Sequence, residues 1–303
     1  MKRDIYFDSA GFGTIRACIW QPEGKAQGVI QIVHGIAEHM DRYDSMANFF
    51  NEQGYLVVGE DHMGHGMSVK NEVEKGCFVG GWDSVVRDTY QLLQNMKADY
   101  TDVPYFLLGH SMGSFITRSL LCMYPEAPID GCVLSGTAWM PKVIIGAGKV
   151  LASLICKCFG ETKSSPILQG LMFGSYNNRI VAPRTEYDWL TNDESVVDAY
   201  IADPMSGFEA SAGLIREMLW GMLYNQNTKN LAGMNKTLPV FFLAGDQDPV
   251  GDYGKGVEIA CKKFVDSGME NVTCKLYPGC RHEVHNEAIA EEMYRDVLDF
   301  MMA

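Results

Sequence analysis

The sequence is short of positive charge. Its 303 residues include 25 Lys and Arg against 38 Asp and Glu, which gives a formal net charge of −13 at pH 7. Clustered Lys and Arg bind phosphate backbones and anionic lipid surfaces, so this balance argues against a nucleic-acid partner and against electrostatic attraction to an anionic membrane. The net charge does not argue against uncharged or cationic ligands.

Long uninterrupted apolar runs are also lacking. The most apolar long stretch, Val143 to Phe159, contains Lys149 and Lys157 and falls short of the ~20 apolar residues that span a bilayer. The first residues, MKRDIYFDSAGFG, lack the apolar centre of a signal peptide. We therefore expect neither a transmembrane helix nor a secretory leader.

The nine cysteines form no recognisable framework. Their number is odd, no CxxC pair occurs, and no spacing matches a zinc site. Several lie inside apolar runs, where a free thiol acts as a small hydrophobic side chain. This pattern predicts a chain in the reducing cytoplasm.

Strand-like and helix-like segments alternate along most of the chain. Apolar runs bounded by turn residues predict six buried strands, and two shorter strands precede them; the eight ranges are 4–7, 14–20, 28–33, 55–61, 104–109, 131–136, 239–245 and 272–278. Helical periodicity predicts helices at 43–53, 83–96, 112–123, 254–264 and 287–300. Such alternation predicts an α/β fold with a mostly parallel eight-stranded sheet and helices on both faces.

The alternation breaks between residues 139 and 234. This stretch shows no clear strand and is too long for an ordinary connection, while helical pieces are predicted at 144–158, 195–201 and 213–223. We interpret residues 139–234 as a helical cap inserted into a core made of residues 1–138 and 235–303.

The sharpest motif is Gly109-His110-Ser111-Met112-Gly113, a G-x-S-x-G pentapeptide. It follows the apolar run PYFLLG directly and precedes the helical run MGSFITRSLLCMY. A strand, a tight turn with serine and a helix together form a nucleophile elbow, which exposes the serine oxygen at the carboxyl end of the sheet. Ser111 is therefore the predicted nucleophile.

A serine nucleophile needs a base, and the base needs an orienting acid, in the chain order Ser, Asp or Glu, His. The loop after the last strand offers His282 and His285, of which we favour His282 because it lies in the loop and not at a helix start near Asn286. The loop after the preceding strand offers Asp246 and Asp248. Asp248 is preferred, although spacing leaves Asp246 open.

The reaction also requires two N–H donors that stabilise an oxyanion. The residue after the nucleophile, Met112, supplies one of them in this arrangement. The second is expected from Ile36, because His34-Gly35-Ile36 follows an earlier strand immediately. Neither a metal nor another cofactor is expected, because HEVH lacks the HExxH spacing and Asp61, His62 and His65 lack a supporting constellation.

Five segments resemble the monoacylglycerol lipase and lysophospholipase-like branch of the α/β-hydrolases, which includes serine aminopeptidases of the S33 type. They are HGIAEHMDRY, EDHMGHGMS, GHSMGS, GDQDPV and YPGCRHEVHNE, and the likeness extends over about 28–135 and 238–302. The resemblance implies an α/β-hydrolase fold with Ser111, Asp248 and His282 as catalytic residues and Ile36 and Met112 as oxyanion donors. It departs from the family pattern at Ser114, where glycine is usual.

The expected function is hydrolysis of a carboxylic ester with one acyl chain, such as a monoacylglycerol or a lysophospholipid. Two alternatives remain: an aminopeptidase or amidase that uses the same residues, and a non-catalytic binding protein on a hydrolase scaffold. A partly apolar cap helix at Ile144–Cys158 also allows transient contact with a membrane or micelle. The sequence predicts no particular oligomer.

Overall fold

The computed structural model describes residues 1–71 and 73–303, and an eight-stranded sheet runs through it. The strands are β1 (Lys2–Asp8), β2 (Thr14–Trp20), β3 (Gly28–Val33), β4 (Tyr55–Glu60), β5 (Tyr105–His110), β6 (Gly131–Ser135), β7 (Val240–Gly245) and β8 (Val272–Tyr277). Their order across the sheet is β1-β2-β4-β3-β5-β6-β7-β8. The first two strands run antiparallel, and all pairs from β4 to β8 are parallel. The predicted mostly parallel sheet is therefore confirmed.

Burial explains why the central strands are apolar at every position. All residues of β3, β4, β5, β6 and β7 are buried, because helices cover both faces of the sheet. β8 lies at an edge and buries only its last residue fully. Each large side chain that is fully buried, such as Phe242, stabilises the fold by roughly 1.5–3 kcal/mol.

Four helices connect strands of the core: α1 (Asp44–Glu52), α2 (Gly81–Asp99), α3 (Met112–Met123) and α9 (Lys255–Asp266). A fifth helix, α10 (Ala290–Met302), follows the last strand. In α10 the buried residues Met293, Tyr294, Val297 and Met301 recur at helical spacing and form one face. That face and α1 pack on one side of the sheet, whereas α2, α3 and α9 pack on the other.

Between β6 and β7 the chain forms five more helices: α4 (Lys142–Phe159), α5 (Pro166–Phe173), α6 (Glu194–Ala202), α7 (Ala212–Asn225) and α8 (Thr228–Gly233). We refer to residues 139–234 as the cap; its independence as a unit stays a prediction. The sequence predictions did not include α5 and α8, which are short. Within the described residues, no helix combines the length and apolarity needed to cross a membrane.

Candidate active site

Ser111 lies at the sharp turn between β5 and α3. Its backbone angles, φ 52° and ψ −121°, fall in a region that non-glycine residues rarely adopt. The two motif glycines make this turn sterically feasible: a Cβ on Gly113 would lie 1.9 Å from the Val33 carbonyl oxygen, and one on Gly109 would lie 2.4 Å from Thr117 Oγ1. The strand, turn and helix of the predicted elbow are therefore present at the predicted residues.

Ser114, which departs from the family pattern, hydrogen-bonds within the elbow. Its hydroxyl donates to the carbonyl oxygen of Ser111 over 2.6 Å, and its backbone N–H donates to the same oxygen over 2.9 Å. The Ser111 N–H in turn donates to Ser135 on the neighbouring strand over 2.9 Å. These three bonds fix the strained residue from both sides.

Asp248 and His282 meet at the carboxyl end of the sheet. Asp248 follows β7, His282 follows β8, and His282 Nδ1 lies 2.9 Å from Asp248 Oδ2. The other carboxylate oxygen accepts the Val250 N–H over 2.9 Å, which fixes the acid. When Nδ1 donates to Asp248, Nε2 is left as an acceptor. His282 and Ser111 line the same cavity. This is the arrangement of a general base with its orienting acid.

Electrostatics favour the proton-accepting role of His282. The ring is buried, and burial by itself lowers the pKa of an imidazole. The Asp248 carboxylate opposes that effect and, together with more distant Glu283 and Glu38, holds the pKa of His282 above its ordinary value. An imidazolium formed at His282 would thus be stabilised.

The alternative residues have other environments. Asp246 accepts a hydrogen bond from the Gly279 N–H over 2.8 Å and so joins two loops. His285 stacks on Tyr43, and neither of its ring nitrogens has a hydrogen-bond partner among the described residues. Burial lowers the pKa of His285 to about 4, which keeps it neutral. Without an orienting acid, His285 is a poor base.

The predicted start of the last helix is wrong. The sequence predicts a helix start near Asn286, whereas α10 begins at Ala290 and residues Val284–Asn286 form a 3₁₀ turn. The Asn286 side chain donates instead to Glu283 Oε2 over 2.8 Å. The 3₁₀ turn lets the loop stay close to the sheet before the helix starts.

Ile36 and Met112 both line a cavity that Ser111 also lines. In the described part of the chain, no backbone or side-chain group accepts a hydrogen bond from either N–H. Such orphaned donors beside a nucleophile suit an oxyanion. The preceding N–H, that of Gly35, is already bonded to Glu38 Oε1 over 2.5 Å.

The cap hydrogen-bonds two loops, and the sequence did not predict these bonds: the loop after β3 that carries Ile36, which we call the oxyanion loop, and the loop after β8 that carries His282, which we call the histidine loop. Ala37, next to Ile36 and at φ 56°, has its carbonyl oxygen bonded by the Tyr200 hydroxyl and the Gly207 N–H, both over 2.9 Å. His39 Nε2 lies 2.5 Å from Asp203 Oδ2. The cap therefore supports the loop that carries Ile36.

The histidine loop is bonded to the cap in the same way. The N–H groups of His282 and Glu283 donate to the carbonyl oxygens of Trp189 and Leu190, over 3.3 and 2.7 Å. These partners are far apart in sequence and their types are ordinary, so no local pattern could have predicted the pairing.

Two cavities meet at Ser111. The first has a volume of about 470 Å³ and no charged residue in its wall, which includes Met112, Ile144, Leu151, Leu171 and Leu219. The second has a volume of about 410 Å³, and its wall includes Glu38, Arg42, Gln169, Asn177, Glu186 and Glu209. Ile36, Ser111, Phe173 and Trp189 line both cavities.

No group of three or more His, Cys, Asp or Glu side chains in residues 1–71 and 73–303 is placed to hold a metal ion. His62 and His65 belong instead to a buried cluster with His34, whose Nε2 accepts the His62 N–H over 3.0 Å. Because Nε2 accepts, Nδ1 carries the proton and donates to the Gly35 carbonyl oxygen over 2.7 Å.

Comparison with known proteins identifies the family. The profile of the serine aminopeptidase S33 family matches residues 24–289, which is most of the chain. The chain belongs to this family. It is a serine ester hydrolase with the α/β-hydrolase fold, in the monoacylglycerol lipase branch of the S33 family.

Individual relatives place the chain within that family. A monoglyceride lipase from mouse (Mus musculus) is 30% identical over 88% of this chain and 79% of its own length. A monoacylglycerol lipase from Mycolicibacterium smegmatis is 29% identical over 97% of this chain and 95% of its own. Among solved structures, a thermostable carboxyl esterase from Bacillus coagulans in complex with glycerol is 29% identical and superposes with a TM-score of 0.92 over 99% of this chain and 98% of that one.

Proposed function

We propose that this S33-family protein hydrolyses carboxylic esters that carry one acyl chain, such as monoacylglycerols or lysophospholipids, with Ser111, Asp248 and His282 as its catalytic residues. The observation that carries the proposal is the position of Ser111 between an apolar cavity and a polar one. An ester has two unlike halves, and a hydrolase for such lipids must accommodate a hydrocarbon on one side of the carbonyl carbon and an alcohol on the other.

The apolar cavity suits the acyl chain. Its volume of about 470 Å³ is within the ordinary range for a ligand site, and an extended hydrocarbon gains free energy by leaving water for such a wall. The polar cavity suits the alcohol, because Gln169, Asn177 and the carboxylates in its wall can exchange hydrogen bonds with hydroxyl groups. The relatives named as monoglyceride lipases and the esterase in complex with glycerol agree with this assignment.

The proposed reaction has two halves. His282 Nε2 takes the Ser111 proton as the serine oxygen attacks the carbonyl carbon, and the Ile36 and Met112 N–H groups stabilise the negative oxygen that forms. The imidazolium then gives its proton to the departing alcohol, which leaves an acyl-enzyme. Water, deprotonated by His282, attacks this ester, and the fatty acid departs as Ser111 regains its proton. Asp248 stays ionised throughout, and no cofactor takes part.

An aminopeptidase function, the alternative from the sequence, is less well supported. The acyl half of an aminopeptidase substrate carries a free ammonium group, which needs a carboxylate or several acceptors. The cavity assigned to the acyl half has no charged group in its wall. An ammonium bound there would be desolvated without a partner.

The first test is a series of p-nitrophenyl esters from acetate to palmitate, assayed beside monoacylglycerols, lysophospholipids and aminoacyl amides. We expect ester hydrolysis with a preference for longer chains, together with labelling of Ser111 by a fluorophosphonate probe. Turnover of aminoacyl amides above that of esters would replace the proposal with the peptidase alternative. No turnover of any substrate and no labelling would leave the non-catalytic scaffold.

We further propose that the apolar cavity receives its substrate from a micelle or membrane surface. Val143, Ile144 and Leu171 line this cavity, yet their side chains are 83%, 57% and 66% exposed. Such an apolar rim can contact a lipid aggregate directly. Replacing Val143 and Leu171 by Ser should lower activity on micellar substrate much more than hydrolysis of dissolved p-nitrophenyl butyrate; equal effects on both would refute the contact.

A cytoplasmic location stays a prediction, which the nine unpaired cysteines support.

A further inference from the structure

Arg42 lies at the point where three parts of the active site meet. It precedes α1, and its guanidinium is buried together with the carboxylates of Glu38 and Glu283. Nη1 donates to Glu38 Oε2 over 2.6 Å and to Glu283 Oε1 over 2.8 Å, while Nη2 donates to Glu283 Oε2 over 2.7 Å. One side chain thus bonds a carboxylate from the loop after β3 and a carboxylate from the loop after β8.

 The two carboxylates are therefore far apart in the sequence, and only the fold brings them to one guanidinium.

Glu38 belongs to the oxyanion loop and fixes its backbone. Its Oε1 accepts the Gly35 N–H over 2.5 Å and the Tyr43 hydroxyl over 2.9 Å. Because Gly35 precedes Ile36, the position of Glu38 sets where the Ile36 N–H points. Burial raises the pKa of Glu38, and Arg42 opposes this effect. The Gly35 N–H, the Tyr43 hydroxyl and Arg42 all donate to its carboxylate, which suits the ionised form.

Glu283 belongs to the histidine loop and follows His282 directly. Its N–H donates to Leu190 of the cap over 2.7 Å, and its carboxylate accepts from the Asn286 side chain over 2.8 Å. Burial raises the pKa of Glu283, but Arg42 outweighs this effect and lowers it to about 2. Glu283 is thus held in its ionised form against Arg42.

The third contact of Arg42 is with the cap. Its guanidinium lies 4.7 Å from the ring centre of Tyr200, whose hydroxyl donates to the Ala37 carbonyl oxygen over 2.9 Å. The planar guanidinium can donate in a fork to a carboxylate and still face an aromatic ring, which an ammonium group cannot do with the same geometry.

We propose that Arg42 is a positioning residue, which holds the oxyanion loop and the histidine loop at a fixed separation through Glu38 and Glu283. The inference rests on the proposed roles of Ile36 and His282. A buried ion pair adds little net stability, because desolvation of the charges offsets their attraction. Its geometric effect on the two loops is therefore the larger consequence for catalysis.

The same network also affects the charge beside His282. Two carboxylates and one guanidinium leave one net negative charge, which favours the imidazolium. The charged and titratable groups that face His282 are Asp248 from the loop after β7, Glu38 and Arg42 from the loop after β3, His110 from the end of β5, and Glu283 and His285 from its own loop. Trp189 of the cap contributes an uncharged ring.

Two variants separate geometry from charge. Arg42→Lys keeps the positive charge and loses the fork, so kcat should fall roughly 10- to 100-fold, as expected for a small misplacement of catalytic groups, with KM little changed. The midpoint of the acid limb of the pH profile should stay where it is. Glu283→Gln removes a negative charge and keeps an acceptor, so this midpoint should move to lower pH by roughly 0.5–1 unit.

The matched control is Arg87→Lys, because Arg87 is exposed and pairs with Asp83 on the surface of α2. Wild-type kcat in folded Arg42→Lys, or an equal loss in Arg87→Lys, would overturn the positioning role. An unmoved acid limb in Glu283→Gln would overturn the effect on His282. If Arg42→Lys does not fold, Glu283→Gln carries the test alone, and wild-type values of both kcat and the midpoint refute the proposal.

The experiments give different results if the proposed function is wrong and if only the role of Arg42 is wrong. A wild-type protein without turnover and without fluorophosphonate labelling at Ser111 refutes the function itself. Normal wild-type turnover combined with unaffected Arg42 and Glu283 variants refutes only the role of the network.

Discussion

The two cavities at Ser111 differ in what their walls can do. The apolar cavity has no charged group in its wall, whereas the polar cavity includes Arg42 and four carboxylates, those of Glu38, Glu186, Glu209 and Glu283. An apolar wall selects by size and shape, because burial energy grows with the area removed from water. A wall with charges selects by hydrogen bonding and electrostatics, which depend on pH and salt. In the proposed function, chain-length preference therefore arises on one side of Ser111, and head-group and pH effects arise on the other.

The largest expected effect comes from the residue that both cavities share. Ser111→Ala should lower kcat for every ester by about 10⁶-fold, because the nucleophile and its base act as a unit. Steady-state hydrolysis of p-nitrophenyl butyrate and of a monoacylglycerol measures it. Ser114→Ala is the matched control, since it removes one hydrogen bond of the elbow but no reacting group. Similar losses in the two variants would contradict the assignment of Ser111.

Narrowing the apolar cavity should change chain-length preference. Leu151→Trp on α4 fills space in its wall, and overpacking of this kind costs about 1–3 kcal/mol, so the palmitate-to-butyrate ratio of kcat/KM should fall roughly 5- to 150-fold. Leu154→Trp is the control, because Leu154 is on the same helix, 55% exposed, and absent from the wall. An unchanged ratio in Leu151→Trp would show that the acyl chain binds elsewhere.

A change of pH should change the rate of hydrolysis but not the chain-length preference. The imidazole of His282 must be neutral to accept a proton, and its pKa is raised above the ordinary 6.5, so kcat/KM should fall about tenfold for each pH unit below a midpoint that lies above 6.5. The palmitate-to-butyrate ratio should stay constant over the same range, because no titratable carboxyl, imidazole or amine lines the apolar cavity. If the palmitate-to-butyrate ratio changed with the same midpoint, the chain-length preference could not be assigned to the apolar cavity alone.

The smallest expected effect concerns charge at the mouth of the polar cavity. Glu186 and Glu209 line it and are exposed, so solvent screens them and each contributes little. Replacing both by Gln should raise kcat/KM for esters of anionic alcohols relative to cationic ones by a few-fold at low salt. The control is Glu23→Gln with Glu52→Gln, which makes the same change in net charge at two exposed residues outside both cavities. Equal shifts in both pairs would mean that overall charge, and not this cavity, selects the alcohol.

Much of the fold was predictable because it depends on neighbouring residues. Continuous apolar runs marked the central strands, since strands buried on both faces need apolar residues at every position. The cap was harder. Helix α5 was missed although Ser165-Pro166 is a helix-start signal, with proline at the first helical position. Helix α8 was missed although the Asn227 side chain caps it. Both are too short to show a helical period.

The candidate site also has parts that the sequence predicts and parts that it does not. The elbow around Ser111 is a contiguous motif, so its strand, turn and helix could be read directly from Gly109 to Gly113. Position in the loop favoured Asp248 but left Asp246 open, and the family resemblance sharpened the preference for Asp248. The structure places Asp248 against His282, while Asp246 joins two loops. The helix start near Asn286 was mispredicted because the 3₁₀ turn before α10 has no clear signature in the sequence.

The sequence by itself determined the sheet, the elbow and the order of the candidate catalytic residues, because each follows from residues close together along the chain. Only the tertiary structure decided the two cavities and the network around Arg42. Arg42 and Glu283 are 241 residues apart, and His39 and Asp203 are 164 apart. Contacts at such separations form only after loops close and strands pair, so they depend on the whole fold and leave no local pattern in the sequence.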